Sequence, residues 1–231
     1  MAQRLPSLLL FARTPEAGKV KTRLVPPLSE REALALYVAF LEDAARLYRR
    51  PSRWRAVLEA EPDPEAPAMA SLFRPPWVRR RQPAGNLGER LATAFEREFA
   101  GGAPAALAVG SDHPNLERRR IEEAFEAVER GARAAVIPAR DGGYCAIALA
   151  SGVPARRVFS GIPWSSPSVL SATLEKFAVL SLPAVLLEES YDVDRPEDLE
   201  RLRADLAGRD PAGPDYPEAT ARALGLGAGV R

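Results

Sequence analysis

The stretch AGKVKTRL, residues 17–24, gathers cationic chemistry in one place. The chain holds 32 Lys plus Arg, and only Lys19, Lys21 and Lys176 are lysines, so two of the three follow Gly18 within three residues. A lysine ammonium is compact and can meet several phosphate oxygens, while Arg23 offers a bidentate fork. Gly18 lets backbone N–H groups approach an anion, and a helix N-terminus beyond it would add a favourable dipole. The stretch is not a Walker loop: Lys19 is followed by Val20, and the upstream glycine of that motif is missing. The same residues would also serve as an ordinary solvent-exposed basic loop.

Carboxylates supply the complementary chemistry. Asp112, in GSDHP, directly follows a buried apolar run, where it would either hold Mg²⁺ with hard oxygen ligands or cap the next helix. Asp192 and Asp194 flank Val193; in an extended segment both point to one face and repel unless a cation lies between them. Asp194 is alternatively the cap of a helix starting at Pro196. In RDGGYC, Asp141, Gly142 and Gly143 form a strong hairpin-turn signal, or let a substrate approach the backbone. Gly85 and Gly88 in QPAGNLGER bracket a helix start and suit a base- or ribose-contacting loop, or a plain turn. His113 is the single histidine and is assigned no role.

These residues need elements to hold them. Short apolar runs at 7–12, 105–110, 134–138, 145–150 and 179–187, together with 54–60 and 77–82, read as strands. Between them lie helical patterns. One begins with the capping box of Ser29 and Glu32 and carries a stripe of Leu34, Tyr37, Leu41, Ala44 and Tyr48. Others run from LGER to about Phe99, over 116–130, to near Phe177, and from Pro196 to Leu206. Residues 62–67 read as a Pro-broken connection, and 208–231 as a loosely attached Gly/Pro-rich tail. Alternating strands and helices predict an α/β sandwich with a mainly parallel sheet, 1–207 forming one domain. All the candidate stretches then fall beyond strand carboxyl ends, where such folds bind ligands.

Composition narrows the classes. A net charge of +1 and no basic–aromatic stripe argue against nucleic acid and against an anionic membrane. One cysteine, Cys145, excludes an intramolecular disulfide framework and a Cys-based zinc site and fits a reducing, cytoplasmic setting. SLLLFA is too short for a signal core, and no apolar run reaches membrane-span length. A homo-oligomer is compatible with all of this.

In order, the motifs resemble the GT-A-type transferases of the DUF2064 group, also described as radical-SAM/selenodomain-associated transferases. FARTPEAGKVKTRL, residues 11–24, matches the pattern after the first strand, with Arg13 in place of Lys. The Gln-x-x-Gly-Asp-Leu-Gly-Glu-Arg pattern appears at 82–90 with Asn86 for Asp, and Gly-Thr-Asp-Cys-Pro at 110–114 with Ser111 and His113 substituted. The Pro-Ala-x-Asp-Gly-Gly-Tyr pattern is intact at 138–144, and Trp164 and Asp192-Val193-Asp194 match in place. The likeness runs over roughly residues 8–202. It implies a GT-A-like, Rossmann-like αβα sandwich with a mixed sheet.

The resemblance further implies that Gly18, Lys21, Thr22 and Arg23 hold nucleotide phosphates, with Gly85, Leu87 and Gly88 near the nucleoside. Asp112, Asp194 and Asp192 would hold Mg²⁺ or Mn²⁺. Asp141, Gly142, Gly143, Tyr144, Trp164, Ser165 and Ser166 would line an acceptor pocket. Lys21, Arg23 and Asp112 would then carry the chemistry. The leading expectation is a metal-dependent nucleotidyltransferase acting on a nucleoside triphosphate and a small acceptor. A glycosyltransferase using a nucleotide-sugar comes second, and a non-catalytic nucleotide-binding module third.

Overall fold

The computed structural model describes residues 4–49 and 53–226. The run SLLLFAR has no helical period and forms β1 (Ser7–Arg13). Leu8, Leu9 and Leu10 point alternately to the two faces of the sheet, and all three are fully buried, so layers cover both faces. The remaining elements follow as α1 (Glu30–Arg49), β2 (Arg55–Glu61), α2 (Pro67–Leu72), β3 (Val78–Arg81), α3 (Leu87–Ala100), β4 (Ala105–Gly110), α4 (Arg118–Glu129), β5 (Ala134–Pro138), β6 (Tyr144–Ala150), α5 (Ala155–Phe159), α6 (Val169–Val179), β7 (Ala184–Leu186), α7 (Pro196–Ala207) and α8 (Glu218–Ala223).

The seven strands form one sheet in the order β3-β2-β1-β4-β6-β5-β7. Only β6 runs antiparallel to its neighbours, β4 and β5; every other pairing is parallel. The sheet is thus mainly parallel and mixed, inside a single α/β domain. The chain winds outward from β1 to β3, then returns to β4 beside β1. That reversal makes a topological switch point at the carboxyl ends of β1 and β4, where Phe11 pairs with Gly110, the position at which such sheets bind ligands. The β5–β6 reversal at Asp141 and Gly142 is the hairpin that Asp-Gly-Gly predicts.

Three expectations are corrected. The run 179–187 is not one strand. α6 continues through Val179 and ends in a Schellman arrangement, Ser181 at φ +52° with Leu182 N–H donating to the Phe177 carbonyl (2.9 Å). Only Ala184–Leu186 pairs with β5. Part of the proposed connection at 62–67 leads into α2, whose six residues are too few to show a helical period, and α5 escapes notice for the same reason. The segment after residue 207 is not loose. Asp43 of α1 accepts from the N–H groups of Ala219 (3.1 Å) and Thr220 (2.8 Å), capping α8 from a distant helix. Tyr216, Ala219, Ala221 and Leu224 are buried. The tail as predicted reached residue 231, and 227–231 lie outside the described residues.

Candidate active site

The basic loop is built from alternating tasks. Val20 and Leu24 are buried and press the loop onto the core. Gly18 turns at φ +71°, and Lys21 itself sits in the left-handed region at φ +49°. That geometry is unusual for a residue with a side chain. It drives Lys21 inward while Lys19 stays exposed and pairs with Glu16 at 2.5 Å. The two lysines that look alike in sequence therefore do different work.

The Lys21 side chain is 3% exposed, and its Nζ lies 2.6 Å from Asp112 Oδ1 and 2.9 Å from Asp194 Oδ1. It also donates to the Val193 carbonyl at 2.8 Å. Phe40 lies beneath, its ring centre 5.5 Å from Nζ. Burial works against the Lys21 charge, but Asp112 and Asp194 outweigh it and leave its pKa raised. Asp194 is itself lowered: burial opposes ionisation, and Lys21 and then Arg23 overcome it. Arg23 stands at the rim, its guanidinium 3.6 Å from Asp194 Oδ2. Thr22 is exposed beside it.

Strand geometry brings these distant residues together. Asp112 leaves the end of β4, and the Val193 N–H donates to the Asp112 carbonyl at 3.0 Å, clamping the 190–195 segment alongside. Neither carboxylate caps a helix. The N-cap of α7 is Arg195, with Asp198 in the first turn accepting from Asp194 N–H (3.1 Å) and Arg195 N–H (2.8 Å), and the N-cap of α4 is Glu117. Both Asp112 and Asp194 are thereby free for Lys21. The cation between the facing carboxylates is an ammonium from this chain, a pairing that local spacing does not foretell, since Lys21 and Asp194 are 173 residues apart.

Asp192 and Asp194 both lie within electrostatic reach of His113. Asp192 is raised: burial dominates, His113 opposes it, and Asp141 and Asp194 add to it. His113, given no role from sequence, is part of this cluster. Burial disfavours its charge, yet Cys145, Asp192 and Asp112 push it up to about 9. Gly110 makes room for it; a Cβ there would come 3.1 Å from its Nε2. Adjacency to Asp112 was the one signal available. Tyr37 was also missed. Its hydroxyl accepts from Arg13 N–H (2.9 Å) and lies 3.1 Å from Ser111 Oγ, tying the ends of β1 and β4 together.

The QPAGNLGER motif is largely consumed by its own architecture. Gln82 donates to the Ala12 and Glu59 carbonyls (3.1 and 3.0 Å), locking the ends of β1 and β2. Asn86 and Glu89 form a capping box at the start of α3, so Asn in place of Asp preserves the cap. Gly88 has a packing reason: a Cβ would lie 2.6 Å from both the Phe159 carbonyl and Trp164 Nε1. Gly85, at φ +104°, and Leu87, 45% exposed, are left at the surface.

The residues expected on the acceptor side pack against one another. The Tyr144 ring meets Trp164 edge-on at 6.3 Å. Gly142 touches the 165–168 loop so closely that a Cβ would strike the Pro167 carbonyl at 2.0 Å. Asp141 Oδ1 accepts from Gly143 N–H at 2.8 Å and shapes the turn. Ser165 takes φ +64°, and Ser166 Oγ lies 2.9 Å from Ser168 Oγ. Among the described residues no helix is long and apolar enough to cross a membrane.

Comparison with known proteins places the chain. No curated protein matches it in sequence. A crystal structure from Desulfovibrio desulfuricans G20, provisionally described as a nucleotide-diphospho-sugar transferase, superposes with a TM-score of 0.85 at 28% identity, over 96% of this chain and 97% of that one. A 4-diphosphocytidyl-2C-methyl-D-erythritol synthase from Anaerococcus prevotii DSM 20548 shares the fold at TM-score 0.57 and 12% identity, covering 88% and 96%. A cytidylyltransferase from Leptospira borgpetersenii serovar Hardjo-bovis (strain JB197) shares it at 0.59 and 11%, covering 97% and 94%. A family model matches residues 44–166, and the chain belongs to that family, DUF2064, described as uncharacterized proteins conserved in bacteria.

Proposed function

We propose that the protein is a Mg²⁺-dependent nucleotidyltransferase that moves a nucleoside monophosphate from a nucleoside triphosphate to a small phosphorylated or hydroxyl acceptor. The observation that carries this reading is the cluster of Lys21, Arg23, Asp112 and Asp194 at the sheet's switch point, basic loop and paired carboxylates together. The donor set suits a hard cation: carboxylate oxygens only, on side chains 41% and 38% exposed. No group of three or more ligating residues is arranged as a closed cage among the described residues. Mg²⁺ characteristically takes one or two carboxylates and completes its shell with phosphates and water. Asp112 and Asp194 would hold it, with Asp192 behind them. Bound there, it would neutralise phosphate charge and polarise the transferred phosphorus.

The chain's own residues do the rest. Lys21 and Arg23 gather the phosphates, Gly18 and Thr22 allow close backbone approach, and the Gly85–Leu87 edge borders the nucleoside. Asp141, Gly142, Gly143, Tyr144, Trp164, Ser165 and Ser166 wall the acceptor side. The acceptor oxygen attacks the α-phosphorus, the α–β bridge bond breaks, and pyrophosphate leaves. Positioning and charge supply most of the rate.

A second reading is glycosyl transfer from a nucleotide-sugar, favoured by the description of the Desulfovibrio relative. The products decide. Incubation with each triphosphate and a panel of sugar-phosphate and alcohol acceptors is expected to release pyrophosphate. Release of nucleoside diphosphate from a nucleotide-sugar would support the second reading. Full metal-dependent turnover by the Asp112→Asn/Asp194→Asn double variant would refute the first.

A further inference from the structure

All three N–H donors of the Lys21 ammonium are engaged: Asp112 Oδ1 at 2.6 Å, Asp194 Oδ1 at 2.9 Å and the Val193 carbonyl at 2.8 Å. In this arrangement Lys21 has no donor left for a phosphate. Each carboxylate gives its Oδ1 to that ammonium. A Mg²⁺ ion bridging Asp112 Oδ1 and Asp194 Oδ1 would sit about 2.0–2.1 Å from each, in the volume that the ammonium fills. Lys21 in its present place and a cation bridging those two oxygens exclude each other.

We infer that Lys21 is an internal counter-ion that holds the two aspartates in register and is exchanged for the metal when a metal–polyphosphate complex arrives. The inference rests on the metal–phosphate reading above and adds an order of events to it. The free divalent ion must displace a buried ammonium that has nowhere else to go. The complexed ion brings anionic oxygens that take the ammonium over. Metal and phosphate then bind as one ligand, with positive coupling between them. Only the side-chain tip need move: the backbone is fixed by buried Val20 and Leu24, the Nζ resting 5.5 Å from the Phe40 ring centre is the group that leaves, and Arg23 at the rim faces the same carboxylate.

Mn²⁺ binding followed by electron paramagnetic resonance tests this, using wild type, Lys21→Met and Asp112→Asn, each with and without inorganic tripolyphosphate. Circular dichroism checks folding, and Lys21→Gln substitutes if the Met variant does not fold. Couplings of this kind amount to roughly 5–150-fold. Wild type is expected to bind Mn²⁺ alone weakly and about tenfold or more tighter with tripolyphosphate. Lys21→Met is expected to bind Mn²⁺ alone about tenfold or more tighter than wild type and to lose the gain from tripolyphosphate. Asp112→Asn is expected to bind it poorly in both conditions. Equal affinity for Mn²⁺ alone in wild type and Lys21→Met, with binding still dependent on Asp112, would overturn the exchange and leave the metal site standing. No Mn²⁺ binding by any form, with or without tripolyphosphate, would overturn both.

Discussion

Two clusters of buried charge sit on the same sheet, and they are built to opposite ends. Under α3, Glu98 has a side chain that is 0% exposed and satisfies Ser7 Oγ (2.6 Å), Arg80 (2.5 Å) and Arg55. Glu59 beside it pairs with Arg97. There the carboxylates are sealed and the arginine stems reach out to water. At the carboxyl edge the arrangement is inverted: one sealed lysine holds two carboxylates that each keep an open side. Exposed carboxylates around a buried cation can accept a ligand; sealed ones cannot. The difference separates scaffold from candidate site where residue types alone do not.

The sharpest way to break this comparison is to remove one carboxylate from each cluster. Asp112→Asn leaves Lys21 with Asp194 and the Val193 carbonyl, so the fold should survive. Turnover should fall by about 10²–10³-fold, the usual effect of losing one charge-stabilising group, read as metal-dependent product release. Glu98→Ala should do the reverse. It strands two arginines and Ser7, and breaking a buried pair costs about 3 kcal/mol, measured by urea unfolding, while nucleotide binding is retained. If Glu98→Ala lost binding at full stability, the division between the clusters would fail.

A smaller effect is expected where the start of α3 meets Phe159 and Trp164. Gly88→Ala places a methyl against the Phe159 carbonyl and the Trp164 indole. Overpacking of this kind costs about 1–3 kcal/mol, and it should weaken acceptor use more than triphosphate binding.

The smallest effect is a slope against pH. Burial opposes ionisation of Glu98, but Ser7, Arg80 and Arg55 outweigh it and hold its carboxyl below the usual 4.5. The unfolded chain therefore takes up that proton first as pH falls, and stability declines from about pH 4.5 down through the folded value. Glu59 is raised by burial despite Arg97, so acid relieves it and partly offsets the loss. Glu98→Gln should flatten the acid limb of stability against pH. An unchanged limb would place the acid sensitivity elsewhere.

The sheet was legible because most of its strands are short apolar runs separated by loops and helical patterns, and because Ser29 and Glu32 mark the start of α1. The site was legible in part. Asp112, Asp194 and Lys21 stood out as charges next to buried runs, yet their mutual pairing depends on the sheet placing β1, β4 and the 190–195 segment side by side. Tyr37 showed only as one member of a buried helical stripe and His113 only as a substituted motif position, and neither signal points to the contacts they make. Gly88 looked like a loop glycine, and its tight contact with Trp164 appears only in three dimensions. The docked C-terminal helix escaped because its cap, Asp43, comes from a helix more than 170 residues earlier.

The most direct test of the central claim is thermal stabilisation by each nucleoside triphosphate and by several nucleotide-sugars, with Mg²⁺ or with EDTA, in wild type and Asp112→Asn. A ligand at about a hundred times its dissociation constant adds roughly 2.7 kcal/mol of stability, which is readily seen. The account predicts a Mg²⁺-dependent shift with at least one triphosphate in wild type that is lost in Asp112→Asn. A shift that persists in EDTA and in Asp112→Asn, or one given by nucleotide-sugars alone, would contradict it.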